Sequence, residues 1–233
     1  MPAGRCCLPS IVLARDDAWG HVARPFATLV TNLTRVEPVT LRSAGLVLRP
    51  PVAADVDDIT LACQDQETAT WVPVPVPYTR EAAEGFLQHL VVPGWASGRE
   101  LTWAIHAADA QPQEPLLGMV GLHGVADGSA EIGFWTSPWA RQRGVMSASV
   151  QLVLDHAFAA DGLDLERVTW VAQVGNWPSR RVAWRAGFRL EGTIRLHALH
   201  RGVRHDAWVG TLLRDDPRQP AEPWPDDARG WSA

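Results

Sequence analysis

The stretch from Glu131 to Phe158, EIGFWTSPWARQRGVMSASVQLVLDHAF, constrains the fold more than any other part of the chain. It opens with a short apolar strand over 131–136, breaks at Ser137-Pro138 and turns through Ala140-Arg141-Gln142-Arg143-Gly144. Beyond the turn, apolar residues at Val145, Met146, Val150, Val153, Leu154, Ala157 and Phe158 keep helical spacing. They predict a helix with one core-facing stripe. A strand that feeds a helix through a basic, glycine-containing turn makes an anion site. The first helical amides have no intrahelical partner, and the helix dipole favours negative charge there. The turn is therefore expected to hold a pyrophosphate.

The flanks supply the rest of a domain over 39–214, between an N-terminal extension (1–38) and a Pro-rich C-terminal tail (215–233) that is expected to be disordered. Leu46-Val47-Leu48-Arg49-Pro50 reads as a strand stopped by Pro50-Pro51, and 54–64 as a helix. Alternating prolines make Thr70 to Tyr78 a stiff, extended apolar loop, either a connector or a pocket wall presenting Trp71 and Tyr78. Thr79 is placed to cap a helix that buries Phe86, Leu87 and Leu90 and ends at Pro93-Gly94. Strands over 101–106, 116–123 and 130–136 follow with short connections, which predicts an antiparallel meander. After the helix that starts at Val145, a strand over 167–172 completes one right-handed parallel βαβ unit. Asn176 then caps a helix over 179–185 that stops at Gly187, and segments 188–197 and 205–213 form a closing hairpin.

Composition excludes several classes. A hydrophobic content of 46% with 20% charged residues is that of a soluble globular protein. No apolar run reaches the roughly 18 residues of a membrane span, and Cys6 to Ala14 has only a weak charged flank and no clear small-residue cleavage site after it, which argues against a signal peptide. A net charge of −5 argues against general nucleic-acid binding. The stretch 180–205 nevertheless carries +6, leaving −11 on the rest. Cys6, Cys7 and Cys63 offer neither metal-ligand spacing nor a disulfide framework, so no metal is expected and a reducing cytoplasm fits. All 21 basic residues are arginine, which excludes a catalytic lysine.

The order of these elements resembles the GCN5-related N-acetyltransferase (GNAT) superfamily, in its RimJ/RimL type, over roughly residues 40–214. The resemblance rests on Leu46-Val47-Leu48-Arg49-Pro50, Glu131-Ile132-Gly133-Phe134-Trp135, Arg141-Gln142-Arg143-Gly144, Asn176-x-x-Ser179, Ala186-Gly187-Phe188 and Gly202-x-x-x-Asp206. It implies an α/β (α+β) GNAT fold: a mixed, mostly antiparallel sheet of about six to seven strands, flanked by helices and splayed at the cofactor site. It also implies that the anion is the pyrophosphate of acetyl-CoA or another acyl-CoA. Backbone amides from Gln142 through Arg143, Gly144, Val145 and Met146 to Ser147 would hold it, with charge from Arg141 and Arg143. The pantetheine arm would lie along Phe134, Trp135 and Thr136, near Asn176. The family turn usually ends in Gly or Ala where this chain has Met146, whose side chain must point away from the ligand.

The implied activity is N-acyl transfer, most simply N-acetyl transfer, to the primary amine of a protein N-terminus or a small molecule. Glu131 is the candidate general base or acceptor anchor, Ser179 the candidate proton donor to the thiolate, and Asn176 a polar neighbour of the thioester that also caps its helix. Trp71, Tyr78, Glu131 and Trp135 are the candidate acceptor contacts. His106 and His123, without a second ligand at metal spacing, are read as strand histidines. The alternatives are a coenzyme A-binding module without catalysis and an RNA-associated protein using the arginine face; no membrane partner is expected, and the protein would be a monomer or homodimer.

Overall fold

The computed structural model describes residues 37–111, 114–226 and 228, so the expectations for 1–36, including Cys6 to Ala14, lie outside the described residues. A short edge pair, β1 (Leu41–Arg42) and β2 (Leu46–Arg49), leads through a 3₁₀ turn (Ala53–Asp55) into α1 (Val56–Gln64) and α2 (Gln66–Trp71). After the proline stretch come α3 (Arg80–Phe86), a π-helical turn (Leu87–Val91) and α4 (Val92–Ser97). The meander β3 (Glu100–Ala107), β4 (Gly118–Ala126) and β5 (Ser129–Thr136) precedes α5 (Val145–Phe158), β6 (Arg167–Gln173), α6 (Trp177–Ala186) and the hairpin β7 (Arg189–His200)–β8 (Val203–Leu213). One sheet of eight strands, rather than six to seven, runs in the order β1-β2-β3-β4-β5-β6-β8-β7. The extra strand is the two-residue β1 pairing on β2.

Every neighbouring pair is antiparallel except β5–β6. That parallel pairing extends only from Ser129↔Arg167 to Ile132↔Trp170. Beyond Ile132 the two strands part, which is the expected splay. Helix α5 starts and stops where the apolar period predicts, and all seven residues of its stripe are buried. They pack on Leu122 and Ile132 from one sheet face, in a core that includes Trp103, Val168 and Trp170. Met119 belongs to a second cluster with Val56, Ile59, Cys63, Tyr78, Ala83 and Leu87. Its neighbour Val120 belongs to the first. Consecutive strand residues point to opposite faces, so the sheet is covered by α5 on one side and by α1 and α3 on the other.

Three expectations need correction. Thr70 and Trp71 do not begin the extended stretch. They end helix α2, whose N-cap Asp65 accepts from Thr68 N–H at 2.9 Å. Nor does Pro93 end the preceding helix. Val92 N–H reaches back to the Leu87 carbonyl, a five-residue π step, so that Pro93 falls in the first turn of α4, where its missing donor costs nothing. Gly98, at φ 70°, makes the real stop. Finally, the described part of the proline-rich tail straps the domain. Trp184 Nε1 donates to the Glu222 carbonyl at 2.7 Å, Trp224 packs on the Trp177 and Trp184 rings, and the Arg218 guanidinium stacks 4.4 Å from the Phe158 centroid. Those aromatic contacts replace the core that the composition of the tail lacks.

Candidate active site

A cleft of about 580 Å³ opens where β5 and β6 part, lined by the α5 turn, one face of α6 and helix α2. In the turn, Gln142 (φ 60°) and Gly144 (φ 74°) are left-handed. The first helical bond of α5 is Ala148 N–H to the Gly144 carbonyl at 3.1 Å, so the amides of Val145, Met146 and Ser147 precede the ladder. No atom lies within 4 Å of where a Cβ on Gly144 would sit, which leaves the backbone approachable. These amides at a helix N-terminus, in a cleft of this size, fit a pyrophosphate. Met146 is buried, with its methyl against Gly118, and it keeps its side chain out of the anion's way.

Of the turn residues named from the sequence, Arg141, Gln142, Gly144, Val145, Met146 and Ser147 line the cleft, and Arg143 does not. Arg141 is not a free cation. It pairs with Asp65 and with Glu67 (2.8 Å) and donates to Thr68 Oγ1 (3.0 Å), so it ties α2 to the turn. Burial alone would raise the Asp65 carboxyl, but the Arg141 guanidinium and the Thr68 N–H outweigh it and hold the group below its ordinary range.

On the α6 side, Asn176 spends its side-chain oxygen capping Ser179 N–H at 3.2 Å. The Ser179 hydroxyl accepts the Trp170 indole N–H at 3.0 Å, which leaves the hydroxyl's own proton to be donated elsewhere. Both residues line the cleft, as do Arg181 and Arg185 from the basic stretch 180–205. The signal was present: Pro178, Arg181, Val182 and Arg185 recur at three- and four-residue steps and so share a helix face. Glu67 and Thr68 had no such signal, because they fall between the helix expected over 54–64 and the proline loop expected from Thr70.

The acceptor side divides the residues proposed for it. Trp71 and Trp135 line the cleft, and Trp71 reaches the Gly175 turn across it. Tyr78 does not. It is 6% exposed, in contact with Cys63 in the α1–α3 cluster. Burial pushes the Tyr78 phenol above its ordinary range and the Cys63 thiol up to about 12. The carboxylate of Glu131 is outside the lining of the cleft, on the sheet face that also carries Trp135. Water reaches it, yet surrounding protein raises its pKa, with His123 and His197 opposing and Glu100 reinforcing. His106 lies 3.4 Å from the buried Asp55, which also holds Arg49 through both carboxylate oxygens. That cluster anchors β2 to the start of α1.

Residues 45–189 match the Acetyltransferase (GNAT) domain. YdaF of Bacillus subtilis (strain 168), provisionally named a ribosomal N-acetyltransferase, is 36% identical over 101 residues, covering 42% of this chain and 54% of that protein. The chain thus spans about half the length of that relative. Among solved structures, RimL, the ribosomal L7/L12 alpha-N-protein acetyltransferase, in complex with coenzyme A superposes with a TM-score of 0.65 at 22% identity, over 75% of this chain and 98% of the other. RimJ of Mycobacterium smegmatis in complex with CoA-disulfide gives 0.64 at 24% identity, over 76% and 86%. At these identities the two structures speak to the fold.

Proposed function

The chain belongs to the acetyltransferase (GNAT) family, and from that premise we propose that it transfers an acetyl group from acetyl-CoA to the free amine of a protein N-terminus. The observation that carries the reading is the cleft itself, which joins an N-terminal helix turn able to hold pyrophosphate to a hydroxyl poised to donate a proton. Acetyl-CoA supplies the activated acyl thioester. The chain supplies the rest. The amides of Val145 to Ser147 bind the pyrophosphate. Arg181 and Arg185 bring positive charge into the same cleft. The parted edges of β5 and β6 offer unpaired backbone groups along Phe134 to Thr136, to which an extended arm can bond as an added strand would.

Ser179 is positioned to protonate the leaving sulfur, and Trp170 fixes which way its hydroxyl points. Trp71 and Trp135 form an apolar rim, and Glu131 receives the amine behind it. A protein acceptor is favoured over a small amine by the names of YdaF and RimL. Among the described residues no helix is long and apolar enough to cross a membrane, which agrees with a proposed place in the cytoplasm.

The test is acetyl-CoA-dependent thiol release across short peptides with free and blocked N-termini, alongside small amines. Release that requires a free α-amine is the expected result. Coenzyme A binding without release on any amine would instead favour a non-catalytic coenzyme A-binding module.

A further inference from the structure

We propose that His123, oriented by Glu100, is the group that takes the proton from the acceptor amine, while Glu131 anchors the ammonium. The inference rests on the acyl-transfer reading above and divides the labour within it.

The sheet register sets the arrangement. Glu100 pairs with His123 across β3–β4, His123 with Glu131 across β4–β5, and Glu131 with Thr169 across β5–β6. Directly paired residues point to the same face and stand roughly 5 Å apart. Three ionisable side chains therefore form one row, and it meets β6 just before the two strands part.

Two observations single out His123 within that row. First, its Nδ1 lies 2.8 Å from Glu100 Oε2. The other oxygen of Glu100 accepts Gly124 N–H at 3.0 Å, made possible by the bulge that follows His123 in β4. A carboxylate held at both oxygens keeps the ring proton on Nδ1 and leaves Nε2 as the bare acceptor. The Glu100 carboxyl lies below its ordinary range, because the His123 and Gly124 bonds outweigh its burial. Second, Nε2 leans over the paired glycines of the next row, 3.2 Å from the Cβ position of Gly121 and 3.1 Å from that of Gly133. Neither glycine carries a side chain to cover it. The ring nitrogen thus sits between Glu131 and Trp135 along β5, and Trp135 lines the cleft.

Glu131 suits the complementary role. It is exposed directly across β4–β5 from His123, and an arriving ammonium offsets the surrounding protein's disfavour of its charge. Among the described residues, His197 of β7 and Arg99, just before β3, also act on this row.

The step balances without a further reactant. Nε2 takes one proton from R–NH3+, giving R–NH2 and an imidazolium. The amine nitrogen bonds to the thioester carbonyl carbon as the carbon–sulfur bond breaks. The second nitrogen proton ends on sulfur by way of the Ser179 hydroxyl, and the imidazolium returns its proton to water.

The experiment measures kcat/KM against pH with acetyl-CoA and the free-N-terminus peptides, for wild type, His123→Gln and Glu131→Gln. His123→Gln should lower kcat/KM by about 100-fold or more and abolish the rise of kcat/KM with pH that a general base confers. Its KM for acetyl-CoA should not change. Glu131→Gln should raise the peptide KM and keep the rise. The opposite pattern, with the rise surviving in His123→Gln and vanishing in Glu131→Gln, makes Glu131 the base and overturns the assignment. A second arm needs no turnover: nitrogen–proton correlation spectra of the neutral ring should show Nδ1–H in the wild type, with that preference lost in Glu100→Ala. An Nε2–H ring in the wild type overturns the His123 assignment alone. The expected ring proton combined with coenzyme A binding, but no turnover on any amine, overturns the acyl-transfer reading and the assignment with it.

Discussion

Replacing Ser179 with alanine perturbs stability and chemistry together, and the two can be separated. The Ser179 hydroxyl is the acceptor for the indole N–H of Trp170, a residue only 2% exposed. Alanine leaves that donor buried without a partner, a loss of about 1–3 kcal/mol. In a domain of this size each kcal/mol lowers Tm by roughly 2–4 °C, so a fall of about 2–12 °C is expected. Chemistry is affected separately. If the hydroxyl protonates the leaving thiolate, kcat drops about 10²–10⁴-fold while KM for acetyl-CoA stays near wild type. Trp170→Phe is the control. It removes the donor and leaves the hydroxyl in place but unoriented, so kcat falls by less than in Ser179→Ala. In the double variant no donor is orphaned, so its stability loss should be smaller than the sum of the two single-variant losses. Thermal unfolding and single-turnover acetyl transfer read the two effects. Additive stability losses would refute the role given to the hydrogen bond, and an unchanged kcat in Ser179→Ala would refute the proton donor.

Further outcomes follow from the site's geometry. Gly144→Ala places a side chain on a left-handed residue (φ 74°) with open space around it, so its cost is the backbone's own, about 1–2 kcal/mol. The outcome should be a lowered Tm or, if the turn relaxes, weaker coenzyme A binding by calorimetry; no change in either refutes the pyrophosphate turn. Asp65→Asn cuts one of the two carboxylate ties from α2 to Arg141 while keeping an N-cap, and α2 carries Trp71. KM for the peptide acceptor should rise more than KM for acetyl-CoA. For Glu131, whose folded pKa is raised, the native state binds the extra proton, so its contribution falls as pH rises above the ordinary glutamate range near 4.3. Glu131→Gln removes that cost and should unfold no earlier than wild type at pH 7, and a clear loss of Tm would contradict the sign.

Much of the turn and helix side of the cleft was legible in the chain, because its signals are local. All seven residues of the α5 apolar stripe are buried, with Ser149 beside them, and Asn176 caps the helix it was expected to cap. Gly187 ends that helix in a left-handed conformation (φ 96°). Arg141 shows where local reading stops. A basic residue in an anion turn looks like a phosphate ligand, yet its partners Asp65 and Glu67 lie more than seventy positions earlier. Tyr78 shows the same limit, since the proline stretch hides which side of the loop faces the core. Pro93 yielded to a single π step that moved its missing donor to a tolerant position.

By itself, the sequence determined the strand–turn–helix unit, whose signals lie within a few positions of one another, and the family, whose short motifs recur in order along the domain. Which side chains stand together on the sheet face beside the cleft was decided only by the tertiary structure. His123 reads as an ordinary strand histidine along the chain. Sheet register, set by long-range pairing, puts it between Glu100 and Glu131 and over Gly121 and Gly133. A one-residue slip of β4 would send that ring to the opposite face, and no local pattern specifies against the slip as strongly as the buried residues of the opposite face do.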